Sequence, residues 1–289
     1  MSALCLLLGY TRQAFYGYQK YQLKEALEAE LIVQEVLQHR KIHPCIGTRK
    51  LMILLQNFVK EHQIDLGRDA LFNLLRDHKL LIRKRKRKAV TTFSKHWLKK
   101  YPNHIKNFTP LAANQLWASD ITYIVIGKKF GYLSLITDVY SRKILGFCLS
   151  KTLEASGSVQ ALQMALASSK SHDHLIHHSD RGVQYCSQVY VSLLESKGIK
   201  ISMTESGDPL DNSIAERVNG ILKGEYLKEK YIAFNETQKS VSRTIEIYNS
   251  LRPHSSCEMK TPEEAHKMTG ELKRSWKSYY KKKEVTMSP

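Results

Sequence analysis

The sequence predicts an α/β domain, a mixed five-stranded sheet flanked by helices, preceded by a small all-helical, helix-turn-helix-like region. Three observations predict it. Apolar residues recur at helical spacing over residues 1–82; an acid-free basic stretch follows at 83–112; and from Leu116 the chain changes to short β-branched and aromatic runs separated by helical ones. The expected division is therefore a helical region (1–82), a basic arm (83–112), an α/β core (113–232) and a helical C-terminal extension with a basic tail (233–289).

In the first region "YQLKEALEAELIVQEVLQHR" places Leu23, Leu27, Leu31, Ile32 and Val36 at helical spacing. "GTRKLMILLQNFVKEH" reads as one further helix and "GRDALFNLLRDHKLL" as another. Three helices with a basic surface suit a helix-turn-helix-like module, and a plain helical bundle fits the pattern equally well. No heptad repeat is sustained long enough to predict a coiled coil. "ALCLLLGY" is apolar, too short to span a bilayer, and reads as a small buried helix.

The arm opens with six consecutive cations, Arg83, Lys84, Arg85, Lys86, Arg87 and Lys88. Such a run cannot pack against itself, and the interleaved Phe93, Trp97, Tyr101 and Phe108 favour contact with nucleic acid over a bare solvated linker. The whole chain points the same way: Lys+Arg 45 against Asp+Glu 27 gives a net charge of +18 over 289 residues, which calls for a polyanionic partner. Five widely spaced cysteines without a C-x-x-C pair imply reduced thiols, and His39, His43 and Cys45 read as helix-end residues rather than a zinc site. No targeting or membrane-spanning segment is evident, so the expected compartment is the cytoplasm.

In the core, "LWASDITYIVI", "FGYLSLITDVY" and "ILGFCLS" form an antiparallel meander. A helix ("EASGSVQALQMALASS"), a strand ("HLIHHSD"), a helix ending in glycine and the strand "IKISMT" complete the sheet. The loop "ESGDPLDN" leads into the helix "SIAERVNGILKGEY", followed by "FNETQKSVSRTIEIYNSLRP" and a last helix capped by Thr261 with Pro262 in its first turn.

Three carboxylates stand out. Asp120 interrupts a strand, where aspartate is disfavoured. Asp180 follows an apolar strand at its carboxyl end, where α/β sheets collect ligand sites. Glu216 lies on the first turn of a helix, whose apolar face carries Ile214, Val218 and Ile221 while Glu216, Gly220 and Lys223 occupy the opposite one. Each has a structural explanation taken singly: a turn cap for Asp180, an ion pair for Asp120, and for Glu216 the Ser213-x-x-Glu216 capping box.

Asp120 and Asp180 are separated by 59 residues and Asp180 and Glu216 by 35, and the surrounding stretches "LWASDITYI", "TDVYSRKILGF", "HHSDRGVQY", "GDPLDNSIAERVNGILKGEY" and "YNSLRPHSSCEMKTPEEA" are in family order. Over about residues 115–265 the chain resembles the OrfB-type transposases of the insertion-sequence-3 family, within the Asp-Asp-Glu integrase superfamily of ribonuclease-H-like fold. It departs at Asp208, where the family commonly has asparagine.

The resemblance implies a bacterial, DNA-associated transposase that cleaves element ends and transfers the 3′-hydroxyl strand. Asp120, Asp180 and Glu216 would hold two Mg²⁺ ions, with Mn²⁺ able to substitute. Lys223 would touch a DNA-end phosphate, and His178 would orient Asp180 or simply pack at its strand end. It also implies a homo-oligomer on DNA and an upstream OrfA-type partner. The alternatives are a nuclease of the same fold without strand transfer, or a non-catalytic DNA-binding regulator.

Overall fold

The computed structural model describes residues 5, 7, 9–82, 97–106, 108–169, 171–205, 212–227 and 230–273. The run Arg83–Lys88, Phe93 and the loop residue Asp208 lie outside the described residues. The chain divides into two units, Met1–Lys84 and Arg85–Pro289.

The first unit is helical. α1 (Arg12–Ile42) starts at Thr11, whose Oγ1 accepts from the Ala14 N–H at 3.0 Å, and it runs unbroken for 31 residues. Its last third buries Ile32, Val33 and Val36, and the cluster is completed by α2 (Thr48–Leu54), α3 (Gln56–Glu61) and α4 (Arg68–Asp77) through Leu51, Leu55, Leu71 and Leu75. The single helix expected over "GTRKLMILLQNFVKEH" is loosened at Leu55. That residue keeps right-handed helical angles and its N–H still reaches Leu51 O at 2.8 Å, so the break is local. Of the small buried helix expected near the start, Cys5 and Leu7 are both helical; Cys5 is buried as expected and Leu7 is exposed.

The second unit is built on one sheet of order β3-β2-β1-β4-β5. β1 (Leu116–Ile126), β2 (Lys129–Asp138) and β3 (Ile144–Ser150) pair antiparallel as the expected meander. β4 (Ile176–Ser179) and β5 (Lys200–Met203) add in parallel on the other side of β1, each reached through a helix, α5 (Ala155–Ser168) and α6 (Gln188–Ser196).

Alternation along the strands sorts the core into two layers. Trp117, Ile136 and Leu145 pack with Ala161, Leu162 and Ala165 of α5 and Tyr190 and Leu194 of α6. α5 comes so close to β3 that a Cβ on Gly146 would strike the Ala161 carbonyl, so this strand position tolerates only glycine. Ile124, Leu133, Leu135 and Ile144 face the other way, against Val218 and Ile221 of α7 (Ser213–Ile221) and Val241, Ile245 and Tyr248 of α8 (Phe234–Ser250).

α7 does not end cleanly. It widens into a π turn over Leu222–Tyr226, and Glu225 within that turn makes a two-pronged ion pair with Arg252, both N···O distances 2.8 Å, with Arg252 only 1% exposed. Removing either partner would strand a buried charge, a loss of about 3–5 kcal/mol. α9 (Pro262–Ala265) is brief; Thr261 and Glu264 close a reciprocal capping box at its start.

Candidate active site

β1 is the central strand, and Asp120 sits in its middle, opposite Leu135 of β2. Pairing with β4 stops at Ala118↔His178. Asp120 and Asp180 therefore stand two residues beyond the last parallel pair, at equivalent positions on adjacent strands. Strands that part at their carboxyl ends leave a crevice there, which is where sheets of this class bind ligands.

The third acid comes from α7, and polar contacts to β1 lay that helix along the strand. Asn212 Nδ2 donates to Ser119 O (2.9 Å), Asn219 Nδ2 to Asp120 Oδ2 (2.7 Å), and Lys223 Nζ to Thr122 Oγ1 (3.1 Å). The capping box expected at Ser213 does not form. Asn212 takes the cap position and the helix starts at Ser213, so Glu216 is the fourth helical residue, its N–H bonded to Asn212 O at 3.2 Å. The carboxylate stays exposed on the first turn.

The buried face of α7 is Ala215, Val218, Asn219 and Ile221; Ile214, expected to be buried, is half-exposed. Glu216 and Gly220 lie on the exposed side, and Lys223, within the π turn, is half-buried against β1. Sequence reasoning missed Asn212 and Asn219, because an asparagine in a helical pattern carries no signal until the strand beside it is known.

Asp180 Oδ1 accepts from the Gly182 N–H at 2.9 Å, closing the turn after β4. His178 is buried with Nδ1 2.9 Å from Ser202 Oγ on β5. Its neighbour His177 is the histidine that reaches across to β1. Its Nε2 is 2.6 Å from Ser119 Oγ and 2.9 Å from the Tyr190 hydroxyl, and burial together with His178 pushes its pKa down to about 3. A neutral imidazole thus braces the strand immediately before Asp120.

Electrostatically the site is strained. Burial, then the Asp180 carboxylate and more weakly Glu216, raise the Asp120 pKa to about 7, against the hydrogen bonds from Asn219 and the Ile121 N–H. Glu216 is raised as well, by burial first and Asp180 second. Each carboxylate disfavours charge on the others, and a nearby cation would relieve all of them. Among the described residues no group of three His, Cys, Asp or Glu side chains is gathered closely enough to hold a metal ion together. The acids share a field without being drawn onto a single point.

The integrase core domain family matches residues 110–209, and a second integrase core domain family matches residues 197–262. The insertion element IS600 uncharacterized 31 kDa protein of Shigella sonnei is 33% identical over 259 residues, spanning 87% of this chain and 93% of that one. The transposase InsF for insertion sequence IS3A of Escherichia coli K12 is 35% identical over 161 residues. The chain belongs to the insertion-sequence-3 family of transposases.

The match to InsF covers 55% of this transposase and 56% of InsF. Among solved structures, a chain of the simian T-cell lymphotropic virus intasome is similar over 89% of the transposase and 80% of that chain, at 19% identity and a TM-score of 0.48. The transposase carries an integrase core: a mixed five-stranded sheet with helices on both faces, preceded by a helical region. No helix among its described residues is long and apolar enough to cross a membrane.

Proposed function

We propose that Asp120, Asp180 and Glu216 are the catalytic carboxylates of this DNA transposase and together hold two Mg²⁺ ions, for which Mn²⁺ can substitute. The observation that carries the reading is that Asp120 and Glu216, both raised in part by the Asp180 charge, gather with Asp180 at the open carboxyl end of the central strands. Proteins retain such an arrangement of unfavourable charges where a cation completes it. When bound, a pair of such ions neutralises phosphate charge, activates the attacking oxygen and stabilises the departing one.

The chain's own part is positioning. Asn219 fixes the orientation of the Asp120 carboxyl, the Gly182 N–H that of Asp180, and the first turn of α7 presents Glu216 to solvent. His178, packed on Ser202, holds the strand that ends at Asp180. Lys223 lies beside β1, donating to Thr122, and is the cation assigned to a DNA-end phosphate; the Arg83–Lys88 run is assigned to the duplex flank.

The reaction read from this is two displacements at phosphorus. Water attacks the phosphodiester at the element's end and releases a 3′ hydroxyl, whose oxygen then attacks a phosphodiester of the target and expels a second 3′ oxygen. No protein–DNA covalent bond is formed, so the buried tyrosines Tyr140 and Tyr185 have no nucleophilic role. Two ends have to be joined, so a homo-oligomer on DNA, with an OrfA-type upstream product, completes the reading.

The test is incubation of the full chain with its own element-end DNA, target DNA and Mg²⁺, mapping cut and joined strands. The wild type is expected to give both products, and Asp120→Asn, Asp180→Asn and Glu216→Gln to lose ~10³-fold or more in cleavage while DNA binding persists. Full cleavage by any of the three would overturn the assignment.

A further inference from the structure

The first two-thirds of α1 project a second apolar face. The face that packs in the helical unit carries Ile32, Val33 and Val36. On the opposite side Tyr16, Lys20, Leu23, Leu27, Glu30 and Gln34 follow one another at alternating spacings of four and three, within about 40° of one line at 100° per residue. All six are exposed, with Tyr16 at 48%, Leu23 at 69% and Leu27 at 63%. Leucines paired in this way on an unbroken helix form an exposed seam.

The spacing of the seam is its own mirror about the level of Glu25. Run antiparallel against a second copy of itself, it sets Leu23 opposite Leu27, Lys20 opposite Glu30, and Tyr16 opposite Gln34, each pair occurring twice by symmetry. The Glu30 carboxylate accepts from Gln34 Nε2 at 2.7 Å, so it is oriented along the same face. A parallel pairing would instead put Lys20 against Lys20 and Glu30 against Glu30, which like-charge repulsion opposes.

We infer that α1 joins two copies of this chain as an antiparallel two-helix pair along Tyr16, Lys20, Leu23, Leu27, Glu30 and Gln34. This goes beyond the catalytic reading and does not depend on it, because the pairing needs neither DNA nor metal. Two shared Leu23–Leu27 contacts supply the buried apolar centre, and two Lys20–Glu30 pairs set the direction.

Analytical ultracentrifugation of the full chain at micromolar concentration, in reductant and chelator and without DNA, tests it. The expected results are a dimer for the wild type and for Asp120→Asn alike, and a dimer weakened about 100-fold in Leu23→Asp/Leu27→Asp by two buried charges per copy. Lys20→Glu and Glu30→Lys alone should each weaken it about tenfold, and the two together should return it to within about threefold of wild type.

Circular dichroism should show unchanged helix content throughout, since the packed face of α1 is untouched. A monomeric wild type, an association indifferent to Leu23 and Leu27, or a charge swap that fails to restore it would each overturn the inference. The last result marks a parallel pair or a different partner on the seam. Full DNA cleavage by Asp120→Asn with the dimer intact would fault the catalytic assignment alone.

Discussion

Two aspartates stand on neighbouring strands of the same sheet, Asp120 in β1 and Asp138 at the end of β2, and their surroundings are opposite. Asp138 is fully buried and accepts from the N–H groups of Asn114 and Ser141 and from the Ser141 hydroxyl, each at 2.7 Å, with His266 Nδ1 at 3.9 Å. Asp120 keeps an opening to solvent, accepts from Asn219 and the Ile121 N–H, and otherwise feels two more acids. Burial does not distinguish a folding carboxylate from the one proposed to react; the supply of donors does.

The sharpest way to break that contrast is to neutralise each acid. Asp120→Asn is expected to abolish cleavage, the ~10³-fold loss given above, while leaving the metal-free chain as stable as wild type or more so, since a repelled charge is removed. Asp138→Ala should do the reverse. With three donors left unsatisfied it should lose about 3 kcal/mol or more in urea denaturation, with cleavage per folded molecule unchanged. If Asp138→Ala were as stable as wild type, the contrast would fail.

A smaller effect separates the two through pH. The native Asp120 holds its proton to about 7, well above the ordinary carboxylate range near 4, so between those values the folded chain binds more protons than the unfolded one. Metal-free stability should therefore fall as pH rises through that window and level off above it. The fall should be much reduced in Asp120→Asn, where only the weaker elevation of Glu216 remains. Thermal melts in chelator from pH 4.5 to 8.5 measure it, and a stability that rises over the same range would contradict the sign.

Smallest is the effect of Asn219, whose hydrogen bond opposes the elevation of Asp120. Asn219→Ala should push the Asp120 pKa further up and cost about tenfold in cleavage at neutral pH, partly recovered on the alkaline side. A uniform loss with an unmoved pH profile would reduce Asn219 to packing.

The sheet was legible because its strands are written in β-branched and aromatic runs with turn residues between them, and Asp120 because such a run has no ordinary use for an acid. Other features were not. The Ser213-x-x-Glu216 pattern signals a capping box, yet Asn212 ends the loop and displaces it, since its amide has a partner in Ser119 O. The π turn after Ile221 sets Lys223 against Thr122, and helical periodicity assumes that such a turn is absent. The seam on α1 spans fewer heptads than a coiled-coil pattern requires and is half polar, so only an unbroken exposed helix makes it visible.

By itself the sequence determined the order of helices and strands, and it pointed to the three acids and to a polyanionic partner class. These depend on local periodicity, on residue types out of place in their element, and on summed charge, all of which survive without coordinates. Only the tertiary structure decided that Asn219 rather than a cation answers Asp120, that His177 rather than His178 braces β1, and that the pairing of β1 with β4 brings Asp120 level with Asp180. Those are contacts between residues far apart in the chain, chosen by strand register and by which donor reaches first, and no spacing along the sequence encodes either.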